Sequence, residues 1–157
     1  MAKKFASTER FLKPDPKFGS RTIAKFVNSV MKQGKKTTAR RVVYAALEEV
    51  AKKLPEQKAD EVFAQAINNL KPVVEVRSKR VGGANYQVPI EVKRNRQQSL
   101  AFRWILDVCR DRPGRPMAVR LADEIVAAYK NEGAAISIRE NTHKMAEANK
   151  MNAHLAW

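Results

Sequence analysis

Cysteine is nearly absent: the 157 residues contain one, Cys109. A single thiol excludes an intramolecular disulfide, and with only two histidines it cannot complete an ordinary four-ligand zinc site. No metal and no cofactor is therefore expected. Cys109 lies in the apolar series Ala101, Trp104, Ile105, Val108, which reads as a small core residue rather than a nucleophile. Acidic side chains are also scarce, 16 against 31 Lys and Arg, leaving a net charge of +15 and a pI near 10.3. That imbalance predicts a polyanionic partner. Long apolar runs are missing too; none approaches the roughly 18 residues of a membrane span, and MAKKFASTER has no apolar signal region. No membrane partner and a cytoplasmic address are expected, with an organellar one left open.

Catalytic groups are equally thin. A converging nucleophile, base and orienter is wanting. His143 and Glu147 stand at i, i+4, but without a third candidate they read as a cap or a polar contact. Gly82-Gly83 lacks the GK[ST] ending of a phosphate-binding loop. The expectation is a binding protein without enzymatic activity.

What the chain has is enough apolar content, 44%, to build one domain that buries roughly 70% of its unfolded surface. Its charge is unevenly placed. Residues 1–41 carry 12 basic and 2 acidic side chains, and residues 73–120 carry 11 and 4. The intervening 42–72 and the final 121–157 each carry 4 basic and 5 acidic. Two basic blocks separated by near-neutral ones predict a binding face assembled from discontinuous pieces.

Residues 1–19 are basic and weakly periodic, with two prolines and a glycine in LKPDPKFGS, and read as an extended arm lacking fixed structure. Ser20 is the expected N-cap of a first helix with Ile23, Phe26, Val27, Val30 and Met31 inward and Gly34 as its stop. Thr37 or Thr38 is expected to cap a second helix that buries Ala39, Val42, Val43, Ala46, Leu47, Val50 and Leu54 before Pro55. Its first turn holds Arg40 and Arg41, the wrong sign for the helix dipole, which hints at an external anion. A third helix fits Asp60–Leu70. Asn95 is expected to cap a fourth, running to Arg110 with Leu100, Ala101, Trp104, Ile105 and Val108 inward. A fifth spans Met117–Asn131 with Gly133 as terminator. The segment 140–157 reads as a weaker C-terminal helix and tail, with Met145, Ala148 and Asn152 on one side.

The stretch VRSKRVGGANYQVPIEVKR, Val76 to Arg94, interrupts the helical spacing, and residues 73–93 read as a β-hairpin. Val74 and Val76 share one face, and Tyr86, Val88, Ile90 and Val92 alternate in the second strand. All these positions are even-numbered, so opposing them requires an odd loop over Gly82, Gly83 and Ala84, or a bulge, which sets Val76 opposite Ile90. Pro89 suits an isolated two-stranded arm. Arg77, Lys79 and Arg80 mark the tip as a phosphate contact. Tyr86 is a candidate for base stacking or cross-strand packing, beside Asn85. The fold class is thus mainly α: one domain, 1–157, of about six helices with a protruding antiparallel hairpin and a basic N-terminal arm.

The runs VEVRSKRVGGANYQVPIEVKRNRQQSLAFRWIL and THKMAEANK, with PDPKFGS, KFVNSVMKQGKK and the closing Trp157, resemble the small-subunit ribosomal protein seven family of bacterial and organellar type. The resemblance spans nearly the whole chain. It implies a non-enzymatic, primary binder of small-subunit ribosomal RNA that nucleates the 3′ major domain, the subunit head, in a cytoplasmic or organellar ribosome. It places the hairpin near exit-site transfer RNA and the messenger exit path, with ribosomal proteins nine, eleven, thirteen and nineteen as neighbours. The RNA-binding residues it implies are Lys3, Lys4, Arg10, Lys17, Lys25, Lys35, Lys36, Arg40, Arg41, Arg77, Lys79, Arg80, Lys93, Arg94, Arg96 and Arg103. The tail departs from the family pattern. Met151-Asn152-Ala153-His154-Leu155-Ala156-Trp157 stands where an Ala-Phe-Ala-His-Tyr-Arg-Trp run is usual, and Ser137-Ile138 replaces two lysines. A DNA-bending protein with a proline-bearing β-arm is the reading from another class; the five-helix body and basic N-terminal block argue against it.

Overall fold

The computed structural model describes residues 11–156. Six α-helices and one antiparallel hairpin account for its regular structure: α1 Arg21–Val30, α2 Lys36–Lys53, α3 Ala59–Leu70, β1 Val74–Val81, β2 Ala84–Glu91, α4 Arg94–Asp111, α5 Met117–Tyr129 and α6 Ala134–Ala148. A 3-10 segment, Lys150–Leu155, follows. The periodicities explain why the helices pack as they do. Ile23, Phe26 and Val27 of α1, Val43, Leu47 and Val50 of α2, and Phe63, Ile67 and Leu70 of α3 fall on single faces and are buried. One hydrophobic cluster draws on all six helices, with α5 lying across α2 and α3. At its centre Phe26 meets Phe63 and Phe102 with ring centroids 5.1 and 5.2 Å apart. Cys109 is fully buried there, and burial, reinforced by the nearby Glu124 charge, pushes its thiol up to about 12. It is a core residue.

Helix starts differ from the sequence expectation in instructive ways. Ser20 does cap α1, its Oγ accepting the Ile23 N–H at 3.4 Å, but the helix ends at Val30, short of Gly34. Neither Thr37 nor Thr38 caps α2. A tight turn, in which the Lys35 and Lys36 N–H groups donate to the Lys32 and Gly34 carbonyls, completes the reversal early, so helical geometry begins at Lys36 without a side-chain cap. Asn95 does not cap α4 either. Val92 N–H donates to the Val73 carbonyl at the foot of the hairpin, and the Lys93 carbonyl then accepts from Arg96 and Gln97, starting the helix at Arg94. The buried stripe of α4 is Leu100, Ala101, Phe102, Ile105, Leu106 and Cys109, while Trp104 and Val108 are only half-buried. The C-terminal helix begins at Ala134 rather than 140, because the buried Glu124 carboxylate accepts the Ala135 N–H at 2.8 Å and serves as a remote cap. Its inward residues are Ala135, Ile136 and Ala146; Met145 is exposed.

The hairpin corrects the parity argument. Val81 pairs with Ala84, leaving Gly82 and Gly83 as a two-residue loop, and Val76 stands opposite Pro89, not Ile90. Gly82 and Gly83 have φ of 57° and 90°, the left-handed geometry that two-residue hairpin loops need and that glycine adopts without strain. In this register Glu75, Arg77 and Lys79 share a face with Ile90, Val88 and Tyr86. That face lies toward the body: Glu75 and Val88 are buried, whereas Val74 and Val76 are half-buried. β1 packs on α6 and β2 on the 3-10 segment.

The N-terminal segment is also more structured than an extended arm, over the part that is described. Pro16–Phe18 form a turn against α2. The buried Asp15 carboxylate accepts from the Lys17 and Phe18 N–H groups and, at 2.9 Å, from the Tyr44 hydroxyl, while the Phe18 ring packs edge-on against Tyr44. Burial and the Asp15 contact both raise the Tyr44 phenol above its ordinary value.

Candidate nucleic-acid interface

The two basic blocks of the sequence meet in space. A cleft of about 800 Å³ opens between the 11–16 segment, α1, the start of α2 and the first turns of α4. Lys13, Lys25, Lys36 and Arg40 line it from the first block. The middle of the second block closes it with the uncharged Asn95, Gln98, Ser99 and Phe102 of α4. Asp15 is the one acidic residue in this lining, and its carboxylate is already engaged by Tyr44 and two backbone amides. A shallower depression, sharing Arg40, continues over Arg41 and Tyr44. The Arg40 Nε is buried without a hydrogen-bond partner among the described residues. An unpaired buried donor is costly, and an external anion would satisfy it.

The uncapped start of α2 strengthens the same edge. Its first turns hold Lys36, Arg40 and Arg41 and no acid, so free backbone N–H groups and side-chain cations present positive charge together. Lys35 and Lys36 are exposed beside it.

The cations implied by the resemblance fall into groups that the sequence did not separate. Lys35, Lys36, Arg41, Arg80, Lys93, Arg94 and Arg103 are exposed and, like the half-buried Arg40, make no ion pair or side-chain hydrogen bond within the described residues. Lys17, Arg77, Lys79 and Arg96 have partners inside the protein. Lys17 Nζ sits 2.7 Å from Glu48, whose carboxylate it holds below the usual range, and lies over the Phe18 and Tyr44 rings. Arg77 and Arg96 both close on Glu75, at 2.5 and 2.8 Å. Lys79 Nζ donates to the Leu155 carbonyl at 2.7 Å. Lys25 lines the cleft. Lys3, Lys4 and Arg10 lie outside the described residues, as does Trp157.

Glu75 had no apolar or motif signature, yet it ties the hairpin to the body and sets the reach of the arm. Through Arg96 it fixes β1 to the first turn of α4, the helix that also supplies Asn95, Gln98 and Ser99 to the cleft. The outer end of the hairpin is exposed: Arg80 faces Asn85, and Tyr86 is exposed opposite Lys79. At the other end, His143 Nε2 accepts the Val73 N–H at 3.2 Å. Burial, and secondarily the Arg139 charge, lower its pKa, which keeps the imidazole an acceptor. His143 thus makes a polar contact at the foot of the arm, while Glu147 pairs with Lys150; no group of three metal-ligating side chains occurs among the described residues.

A sequence model of the family described as Ribosomal protein S7p/S5e matches residues 2–150. The chain is 59% identical over 144 residues to the small ribosomal subunit protein uS7 of Rhodopirellula baltica, covering 91% of this chain and 92% of that one. It is 53% identical to the protein of the same name from Thermotoga petrophila, over 94% and 95% of the two chains. Against that from Chlamydia felis it is 48% identical over the full length of both.

Proposed function

The chain belongs to the ribosomal protein S7p/S5e family, and on that premise we propose that it is a non-enzymatic structural component of the small ribosomal subunit that binds its RNA. The observation carrying the RNA-binding reading is the meeting of the two blocks at one cleft lined by Lys13, Lys25, Lys36 and Arg40, with eight cations over α2 and its approach, the hairpin and α4 that make no ion pair or side-chain hydrogen bond among the described residues. These eight, Lys35, Lys36, Arg40, Arg41, Arg80, Lys93, Arg94 and Arg103, are the phosphate contacts. Lys17, Arg77, Lys79 and Arg96 hold the scaffold that presents them. In the finer reading the RNA is the 3′ major domain and its folding is nucleated here. The hairpin tip, with Arg80, Asn85 and Tyr86, lies near exit-site transfer RNA and the messenger path, and ribosomal proteins nine, eleven, thirteen and nineteen are neighbours.

The test compares a 3′ major-domain RNA transcript with duplex DNA of equal length over a salt series. Neutralising about eight phosphates gives a log-log slope of about −6 to −7 on RNA. Equal affinity for the DNA would replace this reading with the DNA-bending one.

A further inference from the structure

We infer that the cleft between α1 and α4 is built for one unpaired nucleotide, base included, and not for a stretch of backbone alone; this rests on the RNA-binding reading above. A phosphate-only site needs cations and N–H donors. This cleft holds those at one side, Lys36 and Arg40, but the rest of its lining has a different chemistry. Asn28 of α1 and Asn95 and Gln98 of α4 contribute three side-chain amides from two helices. None of the three has a hydrogen-bond partner among the described residues, whereas the Ser29 and Ser99 hydroxyls already donate to their own helices. Each amide offers donors and an acceptor; its N–H groups could also meet a phosphate, but its carbonyl oxygen matches only a group that donates, as a base edge does.

The remaining lining is apolar. Phe102, Ala24 and Val27 are buried beneath the cleft, and the Phe11 ring stands at its edge, 75% exposed. An aromatic ring exposed at the rim of a cationic cleft is suited to the face of a base, since single-stranded RNA is recognised by stacking unstacked bases while their edges are hydrogen-bonded. The volume is within the range of about 300–1,000 Å³ that small ligands occupy. A base seated against Phe11 and Phe102 would place its 5′-phosphate toward Arg40, whose buried Nε lacks an acceptor among the described residues.

The experiment titrates the full chain with adenosine 5′-monophosphate and, separately, with ribose 5-phosphate, which keeps the anion and lacks the base. The side-chain amide resonances of Asn28, Asn95 and Gln98 are expected to shift several-fold more with the nucleotide. Equal shifts would overturn the inference, leaving an anion site. A second arm uses Phe11→Ala combined with Gln98→Ala, both outside the buried core. The double variant should bind a short single-stranded RNA about tenfold more weakly and a fully paired duplex of the same length unchanged. An equal loss on both would overturn the base pocket while the RNA-binding reading stands. Wild-type chain that binds neither RNA would overturn that reading itself.

Discussion

Replacing Glu75 by alanine removes the carboxylate that Arg77 and Arg96 share. The magnitude depends on where the orphaned charges go. The Glu75 side chain is 9% exposed, but those of Arg77 and Arg96 are 43% and 46% exposed. A fully buried pair that loses one member costs about 3–5 kcal/mol because the other charge stays unpaired in the interior. Here both guanidiniums reach water, so each lost contact scales as a partly solvated pair, about 0.5–1 kcal/mol. The sum is about 1–2 kcal/mol, a fall of about 3–6 °C in melting temperature for a chain of this size. The loss should be local as well. Amide exchange within β1 and β2 should accelerate more than within α3, whose burial does not involve Glu75. Glu75→Gln, which retains one acceptor oxygen, should fall between. Unchanged hairpin exchange would refute the reasoning and assign the docking to Val88 and Ile90 alone. A loss well beyond 3 kcal/mol would refute it from the other side, by showing that the guanidiniums cannot rehydrate.

Arg80→Glu should weaken binding to the RNA transcript and lower the salt slope by about 1 while leaving the melting temperature unchanged, because Arg80 is exposed and unpaired among the described residues; a stability loss would show an intramolecular role. Gly133→Ala should cost about 2–3 kcal/mol in urea unfolding, since φ is +97° and a Cβ would meet Ala127 Cβ and Glu124 Oε1 at 3.0 Å; a neutral result would mean that the α5–α6 turn relaxes freely. For His143 the folded pKa lies below the ordinary 6.5, so the unfolded chain takes up the proton first as pH falls. Stability present above about pH 6.5 is lost below it, and the protection factor of the Val73 amide, its exchange corrected for the intrinsic pH dependence, should fall from pH 7 to 5; His143→Gln, which does not titrate, should flatten that dependence. For Cys109 the folded thiol titrates at about 12 against 9.0, so the unfolded chain releases its proton first and stability falls between these values as pH rises. Iodoacetamide at pH 9 should modify the chain only after denaturation, and labelling of native protein would place the thiol nearer the surface.

The helices were legible because each buries a stripe of carbon at a period of 3.6, and that period survives in a single sequence. Ile23, Phe26 and Val27, or Phe63, Ile67 and Leu70, need no knowledge of what they pack against to declare an inward face. The starts of α2, α4 and α6 were not legible for the complementary reason. They depend on groups that satisfy N–H donors from outside the helix: a Lys32 to Lys36 turn, a hairpin foot, and a carboxylate eleven residues earlier at Glu124. Cap residues nearby in sequence, such as Thr37 and Asn95, are a weaker guide wherever a distant group or a turn takes the role.

The binding face divides along the same line. Net charge is additive along the chain, so the two basic blocks could be counted without a fold. Which cations remain available is not additive: Lys17 is cancelled by Glu48 across 31 positions, Arg96 by Glu75 across 21, and Lys79 is taken by a carbonyl 76 positions away. The hairpin shows how one such pairing defeats pattern reading. An inward face that had to be the apolar one would force an odd loop at Gly82, Gly83 and Ala84. But two half-exposed guanidiniums make a carboxylate tolerable against the body, and once Glu75 can face inward, the two-residue glycine loop is free to take its preferred left-handed geometry. The loop and the ion pair are therefore one choice. A chain that kept Glu75 but had no arginine at 77 or 96 would hold an unpaired carboxylate against the body, and the register that its valines suggest would then be favoured.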